Sequence, residues 1–305
     1  MKDHGPEGSN PGRVCALVAC IMAPLDLASA HEVGTAATRG GSELAVAVAV
    51  LILVALYVVG LLRLMRTSRA RRELARRACL FAVGCVALTL ALLSPIDDLG
   101  ARSFGVHMVQ HEILMLVAAP ALVMGRPLAV MLWALALPAR RTIGAWTRIV
   151  PIASAWRFLS APLAGWALHA IALWVWHAPR FFNAALSSQA WHDAQHLSFL
   201  VTALLFWFAL LEARAREATG AAVLFLFTTT VHTGVLGALI TFAPKPLYEL
   251  PGPAVESLGL TPLEDQQLGG LIMWVPGALV YVGFGLALLL RWINGSAAGT
   301  RVHVP

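Results

Sequence analysis

His107 and His111 sit four residues apart at the entrance to an apolar run that reaches Met124. Four residues is just over one helical turn, so both imidazoles fall on one face of one helix, a spacing that can chelate a metal. His192 and His196 repeat the spacing at the start of another apolar run, and His177 closes the run before it. Five imidazoles therefore stand at the ends of hydrophobic segments. Neutral imidazole, with thioether sulfur nearby from Met108, Met115 and Met273 and carboxylate from Glu112 or Asp265, is a donor set that suits copper, with zinc or iron as alternatives. Thiolate is not on offer. Cys15 and Cys20 fall in the N-terminal leader, and Cys79 and Cys85, six apart, match no metal-binding spacing. Taken singly, each Met reads as core filler, and Glu112 and Asp265 read as supports that orient a ligand's other ring nitrogen.

The elements that position these residues are membrane helices. The 305 residues are 59% hydrophobic and 12% charged, with a mean hydropathy of +0.75. A soluble domain carries about 25% charged residues, so the expected fold is all-α, a polytopic membrane helical bundle. Seven runs approach the roughly 20 residues needed to cross about 30 Å of hydrocarbon, at 44–62, 78–96, 105–124, 159–176, 194–211, 221–242 and 268–290. Ahead of them, Lys2 and Arg13 precede a short apolar run ending in Ala28-Ser29-Ala30, so residues 1–30 read as a signal peptide or an extra transmembrane helix. Residues 31–43 form a short external segment, 44–292 the seven-span domain and 293–305 a cytoplasmic tail.

Loop charge sets the orientation. One side receives sixteen cations, at Arg63, Arg66, Arg69, Arg71, Arg72, Arg76, Arg77, Arg126, Arg140, Arg141, Arg148, Arg157, Arg214, Arg216, Arg291 and Arg301; the other receives Arg39, Arg102, Arg180 and Lys245. The excess marks the cytoplasmic side. It also accounts for the pI of about 9.7 without nucleic acid. The stretch 127–138 is too short to span and is expected at the inner surface or as a re-entrant piece. The outer loop 243–267, proline-rich and acidic, is a candidate lid. In this topology His107, His111, His177, His192 and His196 all face the external side. His169 and His232 form a deeper tier near mid-membrane. A Ser187 or Ser188 cap is expected to start a helix near Gln189, putting His192 in the first turn and His196 one turn deeper, so that only His196 is well shielded.

His107-Met108-Val109-Gln110-His111, Trp176-His177-Ala178-Pro179, His192 through Phe199, Phe206-Trp207 and Asp265 through Trp274 occur in an order that resembles the integral-membrane CtaG family of cytochrome c oxidase assembly factors, over about 44–292. The single-span copper chaperone of the same name is unrelated. The resemblance implies a protein of the bacterial cytoplasmic membrane that helps mature a haem-copper oxidase, with delivery of copper to the oxidase copper centre as the proposed task. The implied partners are oxidase subunits and a copper donor protein. The family's histidine motifs match at His107, His111, His177, His192 and His196, and a variant found in part of the family matches at His232.

Three functions remain open on the residues themselves. A copper-handling assembly factor would hold the metal at the outer face. A haem-binding electron carrier would need imidazoles opposed across the cofactor, whereas each pair here lies on one helix. A metal transporter would use the deeper tier as a path, but the inner halves of the spans offer no further ligands. Nothing resembles a nucleophile with its base, so no enzyme is expected.

Overall fold

Inside a bilayer every backbone polar group must be satisfied within the chain, and a helix does this within a single segment. The computed structural model describes residues 36–211, 216–249 and 259–300; the expected leader and His31 lie outside them. The helices are α1 (Ala36–Thr67), α2 (Arg71–Leu92), α3 (Pro95–Gly100), α4 (Phe104–Glu112), a π-helical turn (Ile113–Ala118) continued by α5 (Ala119–Gly125), α6 (Pro127–Met131), α7 (Leu137–Trp146), α8 (Val150–Leu159), α9 (Pro162–His177), α10 (Pro179–Ser187), α11 (Gln189–Leu211), α12 (Arg216–Thr241) and α13 (Pro262–Thr300). No strand occurs among the described residues. The chain is a multi-pass, all-α membrane bundle.

Among the described residues, six helical stretches are long and apolar enough to cross a membrane unaided. The fourth expected span, 159–176, departs from a straight crossing. α9 has 16 residues, about 24 Å at about 1.5 Å each, and meets α8 at a 65° bend. Pro162 is the cause, because a proline pushes the preceding residue out of the helical region, and Ala161 is extended at ψ 137°. Counting the bent pair as one crossing gives seven spans. The last helix also exceeds its expected limits of 268–290. Thr261 and Glu264 start it early as a reciprocal cap, with Glu264 Oε2 accepting from Thr261 N at 2.7 Å and Thr261 Oγ1 from Glu264 N at 3.3 Å. It runs on to Thr300, so the expected tail begins as helix.

The span that carries His107 and His111 is not a regular α-helix. Pro120 lacks the N–H that would bond the carbonyl four residues back, and its ring crowds that carbonyl. The chain widens into a π turn just before it, with Ala119 N donating to Leu114 O. Trp207 of α11 reaches in, its Nε1 donating to Met115 O at 2.8 Å. Beyond α5, α6 and the turn Leu132–Ala134 fold back on α1, where Arg63 Nη1 donates to Trp133 O and Ala134 O at 3.2 and 2.8 Å. Stretch 127–138 thus docks against the first span.

Two apolar cores hold the bundle. One gathers Tyr57, Phe81, Leu88 and Leu114 between α1, α2 and the π turn; the other gathers Phe104, Leu173, Phe199, Phe206, Trp207 and Tyr281 among α4, α9, α11 and α13. α12 and α13 pair along much of their length. A Cβ on Gly237 would stand 2.9 Å from Gly270 O, so these backbones touch where only glycine fits.

Candidate functional site

α4 starts at Ser103, whose Oγ accepts from Val106 N at 3.2 Å. Asp265 of α13, fully buried, grips the same turn: its carboxylate accepts from Ser103 Oγ at 2.7 Å, Phe104 N at 2.6 Å and Gly105 N at 3.1 Å. Both oxygens are engaged there, so Asp265 orients the helix that carries His107 and His111, not a ring nitrogen. Gln110 locks the other side of α4, donating to Ala91 O at 2.7 Å and Asp97 Oδ1 at 2.6 Å. Rotation of α4 about its axis is therefore fixed from two directions.

α9 ends at His177 because Pro179 keeps Ala178 extended, at ψ 132°. His177 Nδ1 lies 2.7 Å from Leu173 O. A carbonyl only accepts, so Nδ1 carries the proton and the lone pair sits at Nε2. α11 begins at Gln189, as expected: Ser188 is extended at φ −144°, and its carbonyl accepts from His192 N at 3.0 Å. The Ser187 hydroxyl instead donates back to Ala184 O at 3.1 Å.

These helix ends bring His107, His111, His177, His192 and His196 together. Ring centroids of His107 lie 4.3 Å from His111, 5.4 Å from His192 and 5.6 Å from His196; His192 and His196 are 4.1 Å apart, His111 and His196 5.2 Å, His111 and His177 6.0 Å. His107, His192 and His196 each offer a nitrogen within 4.8 Å of the others'. All five rings are buried. The expectation that His192 would be open to water is wrong. Its exposure is 8% against 5% for His196, because α10 packs along the first turns of α11.

The roof is aromatic. Phe182 of α10, wholly buried, sits 5.1 Å from His107 and 4.4 Å from Tyr248, whose Oη donates to His177 O at 2.9 Å. Burial pushes the Tyr248 phenol above its ordinary value, so it remains a donor. Gln266 ties this loop down, accepting from Leu247 N and donating to Ile240 O. The start of the expected 243–267 lid is thus packed onto the site.

Several buried ring nitrogens of the cluster have no protein hydrogen-bond partner: both nitrogens of His111, His177 Nε2 and His196 Nε2. Leaving such atoms unpaired costs about 1–3 kcal/mol each, and a bound cation would satisfy several at once. The supporting residues proposed from sequence behave differently. Met108 packs against Gly269 and Met273 lies in the apolar core, while Glu112 lies beside Gly277. His232 is apart from the five: its ring neighbour is Trp166, at 6.0 Å. Sequence reasoning missed Gln110 and Gln195, the second of which places Oε1 3.3 Å from His107 Nε2. A signal was present, because His107–His111 and His192–His196 are both His-x-x-Gln-His.

The pattern of cytochrome c oxidase caa3 assembly factors (Caa3_CtaG) matches residues 55–295, from the middle of α1 almost to the end of α13. The chain belongs to this family. The match contains every histidine of the cluster. The uncharacterized protein ML1998 of Mycobacterium leprae (strain TN) is 25% identical over 250 residues, which are 77% of this chain and 37% of that protein. This chain therefore spans little more than a third of that relative's length. No solved structure matches the chain.

Proposed function

We propose that this caa3 oxidase assembly factor holds copper in the imidazole cluster at the external face of the membrane and passes it to the oxidase as its copper centre matures. The observation that carries the reading is the convergence of His107, His192 and His196, from two helices, with nitrogens within 4.8 Å. Copper is here the cargo. Neutral imidazole is the donor, His177 presents Nε2 because Leu173 O holds its Nδ1 proton, and Asp265 and Gln110 keep α4 from rotating its pair away. The trio offers neutral imidazole and no carboxylate, a donor set that suits copper, with zinc or iron as alternatives, over a hard ion such as magnesium or calcium. The sixteen-to-four excess of cations on the opposite loops supports the external placement.

Haem fits this geometry poorly. Ring centroids 4.1 to 6.0 Å apart, meeting mostly edge to face, with Phe199 4.7 Å from His111, leave no slot for a planar macrocycle. The role is non-enzymatic on this reading, and its partners are the oxidase subunit that receives copper and a protein that supplies it. Detergent-purified protein loaded with Cu(I) should retain metal without a Soret band and lose it to the apo copper-binding subunit of a caa3 oxidase. Failure to retain copper under any loading condition overturns the reading, and a Soret band in protein as purified replaces it with the haem alternative.

A further inference from the structure

α7 and α8, ten residues each, lie on the face of the bundle opposite the imidazole cluster. The span that starts with α4 and the span of α11 both begin at the cluster, and α9 ends there. Their other ends, at Gly125, Leu211 and Pro162, therefore share the far face, and the chain from Gly125 to Pro162 runs along it. Two contacts hold the pair there. The Arg140 guanidinium lies 4.6 Å from the centre of the Trp133 ring, and the Trp156 ring lies 5.3 Å from that of Phe208, near the end of α11. α8 turns 65° away from α9, so with α9 crossing the bilayer, α8 runs at a shallow angle along its surface.

No residue of either helix is buried. Trp146 is 63% exposed, Val150 74% and Phe158 68%. The apolar residues are also patterned. Ala139, Ile143 and Trp146 recur at i, i+4 and i+7 along one face of α7, with Arg141 on the opposite face; Ile152, Trp156 and Leu159 repeat the spacing on α8, with Ser154 and Arg157 opposite. The charge is of one sign. No Asp or Glu occurs between Glu112 and Asp193, and among the described residues none of Arg140, Arg141, Arg148 and Arg157 is paired with a carboxylate. Arg148 Nε donates to Gly144 O at 2.9 Å and Arg157 Nη2 to Ser154 Oγ at 3.2 Å, which leaves most of their N–H donors for an outside acceptor.

An exposed apolar stripe with tryptophan at its edge and arginine across from it suits the boundary between headgroups and acyl chains, where anionic lipid supplies the opposite charge. We infer that α7 and α8 form an interfacial platform for anionic phospholipid in the leaflet on this face. Ile143, Trp146 and Ile152 enter the acyl boundary, and Arg141, Arg148 and Arg157 extend their long side chains to the headgroup phosphates. The inference uses none of the histidines and holds whether or not the cluster binds a metal.

The test places the full chain in nanodiscs of phosphatidylcholine and phosphatidylglycerol in which one lipid or the other carries bromine near the headgroup end of its acyl chains, where it quenches the fluorescence of tryptophan it touches. Brominated phosphatidylglycerol should quench the wild type more strongly, per lipid, than brominated phosphatidylcholine. That excess should shrink in Trp146→Phe, be lost in Arg141→Gln/Arg148→Gln/Arg157→Gln, and survive in Arg66→Gln/Arg69→Gln/Arg72→Gln, which removes as much charge from the preceding loop on the same face. No excess in the wild type overturns the inference. An excess untouched by Trp146→Phe also overturns it, because the stripe would then lie away from the lipid, against another protein. Equal loss in the two arginine variants overturns it as well, since the attraction would belong to the whole face. If the first arginine variant does not fold, the wild type decides: the excess should fall as ionic strength rises, and inorganic phosphate should remove no more of it than chloride at the same ionic strength. Insensitivity to salt, or a loss specific to phosphate, removes the lipid platform.

Discussion

The hydroxyl of Tyr248 donates to the carbonyl oxygen of His177 at 2.9 Å, across 71 residues of sequence. That carbonyl lies where α9 ends, so its free lone pairs need an outside donor. Tyr248 thereby closes the roof and fixes the end of the helix that presents His177. Removing the hydroxyl while keeping the ring, as in Tyr248→Phe, should cost about 1 kcal/mol of stability and speed exchange of bound copper several-fold. A copper off-rate unchanged in the variant would show that the roof is not held by this bond.

The same phenol gives a pH prediction. Its folded-state pKa is raised by burial, whereas an unfolded tyrosine titrates near about 10. A raised pKa means that the stability it supports is full below about pH 10 and falls as pH rises above it, because only the unfolded chain releases the proton. Tyr248→Phe should therefore lose less stability than wild type between about pH 9 and about pH 11. Parallel stability curves in detergent over that range would contradict the burial of this group.

Asp265 accepts three hydrogen bonds from the first turn of α4. Asp265→Ala leaves those donors buried and unpaired, with an expected loss of about 2–4 kcal/mol, the sum of a lost cap and at least one orphaned donor. Asp265→Asn keeps an acceptor oxygen and should recover part of that loss. Because Asp265 touches no imidazole ring nitrogen, copper stoichiometry should stay at the wild-type value in any Asp265→Asn protein that folds. A lost equivalent in folded Asp265→Asn would place the carboxylate at the metal.

How much of this was legible beforehand depends on the range of each interaction. The crossings were readable because apolar runs of span length are local, and the pairing of His107 with His111 and of His192 with His196 follows from helical period alone. The meeting of these pairs with His177 was suggested by their shared depth. Depth does not specify rotation, and His232 shows the difference: it lies on a span yet faces Trp166 instead of the cluster. The bend at Pro162 had a local signal, as did the Thr261–Glu264 cap that lengthens α13. The work of Asp265 could not be read locally, since its partners lie about 160 residues away. Burial of His192 likewise depends on α10 folding over α11.

The last prediction joins these helices through the cargo. His107 comes from α4, His192 and His196 from α11, and His177 from α9, so an ion shared among them binds the folded bundle and not the separated helices. By mass action copper should stabilise the protein by about 2.7 kcal/mol at a hundredfold excess over its dissociation constant. His107→Ala and His196→Ala remove nitrogens from the trio that lies within 4.8 Å and should abolish the shift in melting temperature. His111→Ala and His177→Ala, whose rings stand 6.0 Å apart at the edge of the trio, should reduce the shift without abolishing it. Histidines that serve only as bonds between helices would behave otherwise, contributing about 0.6 kcal/mol each whether or not copper is present. Thermal unfolding in detergent, with and without Cu(I), separates the two cases: a melting temperature indifferent to copper in wild type would end the shared-ion account, and a full shift surviving in His107→Ala would remove that residue from the metal.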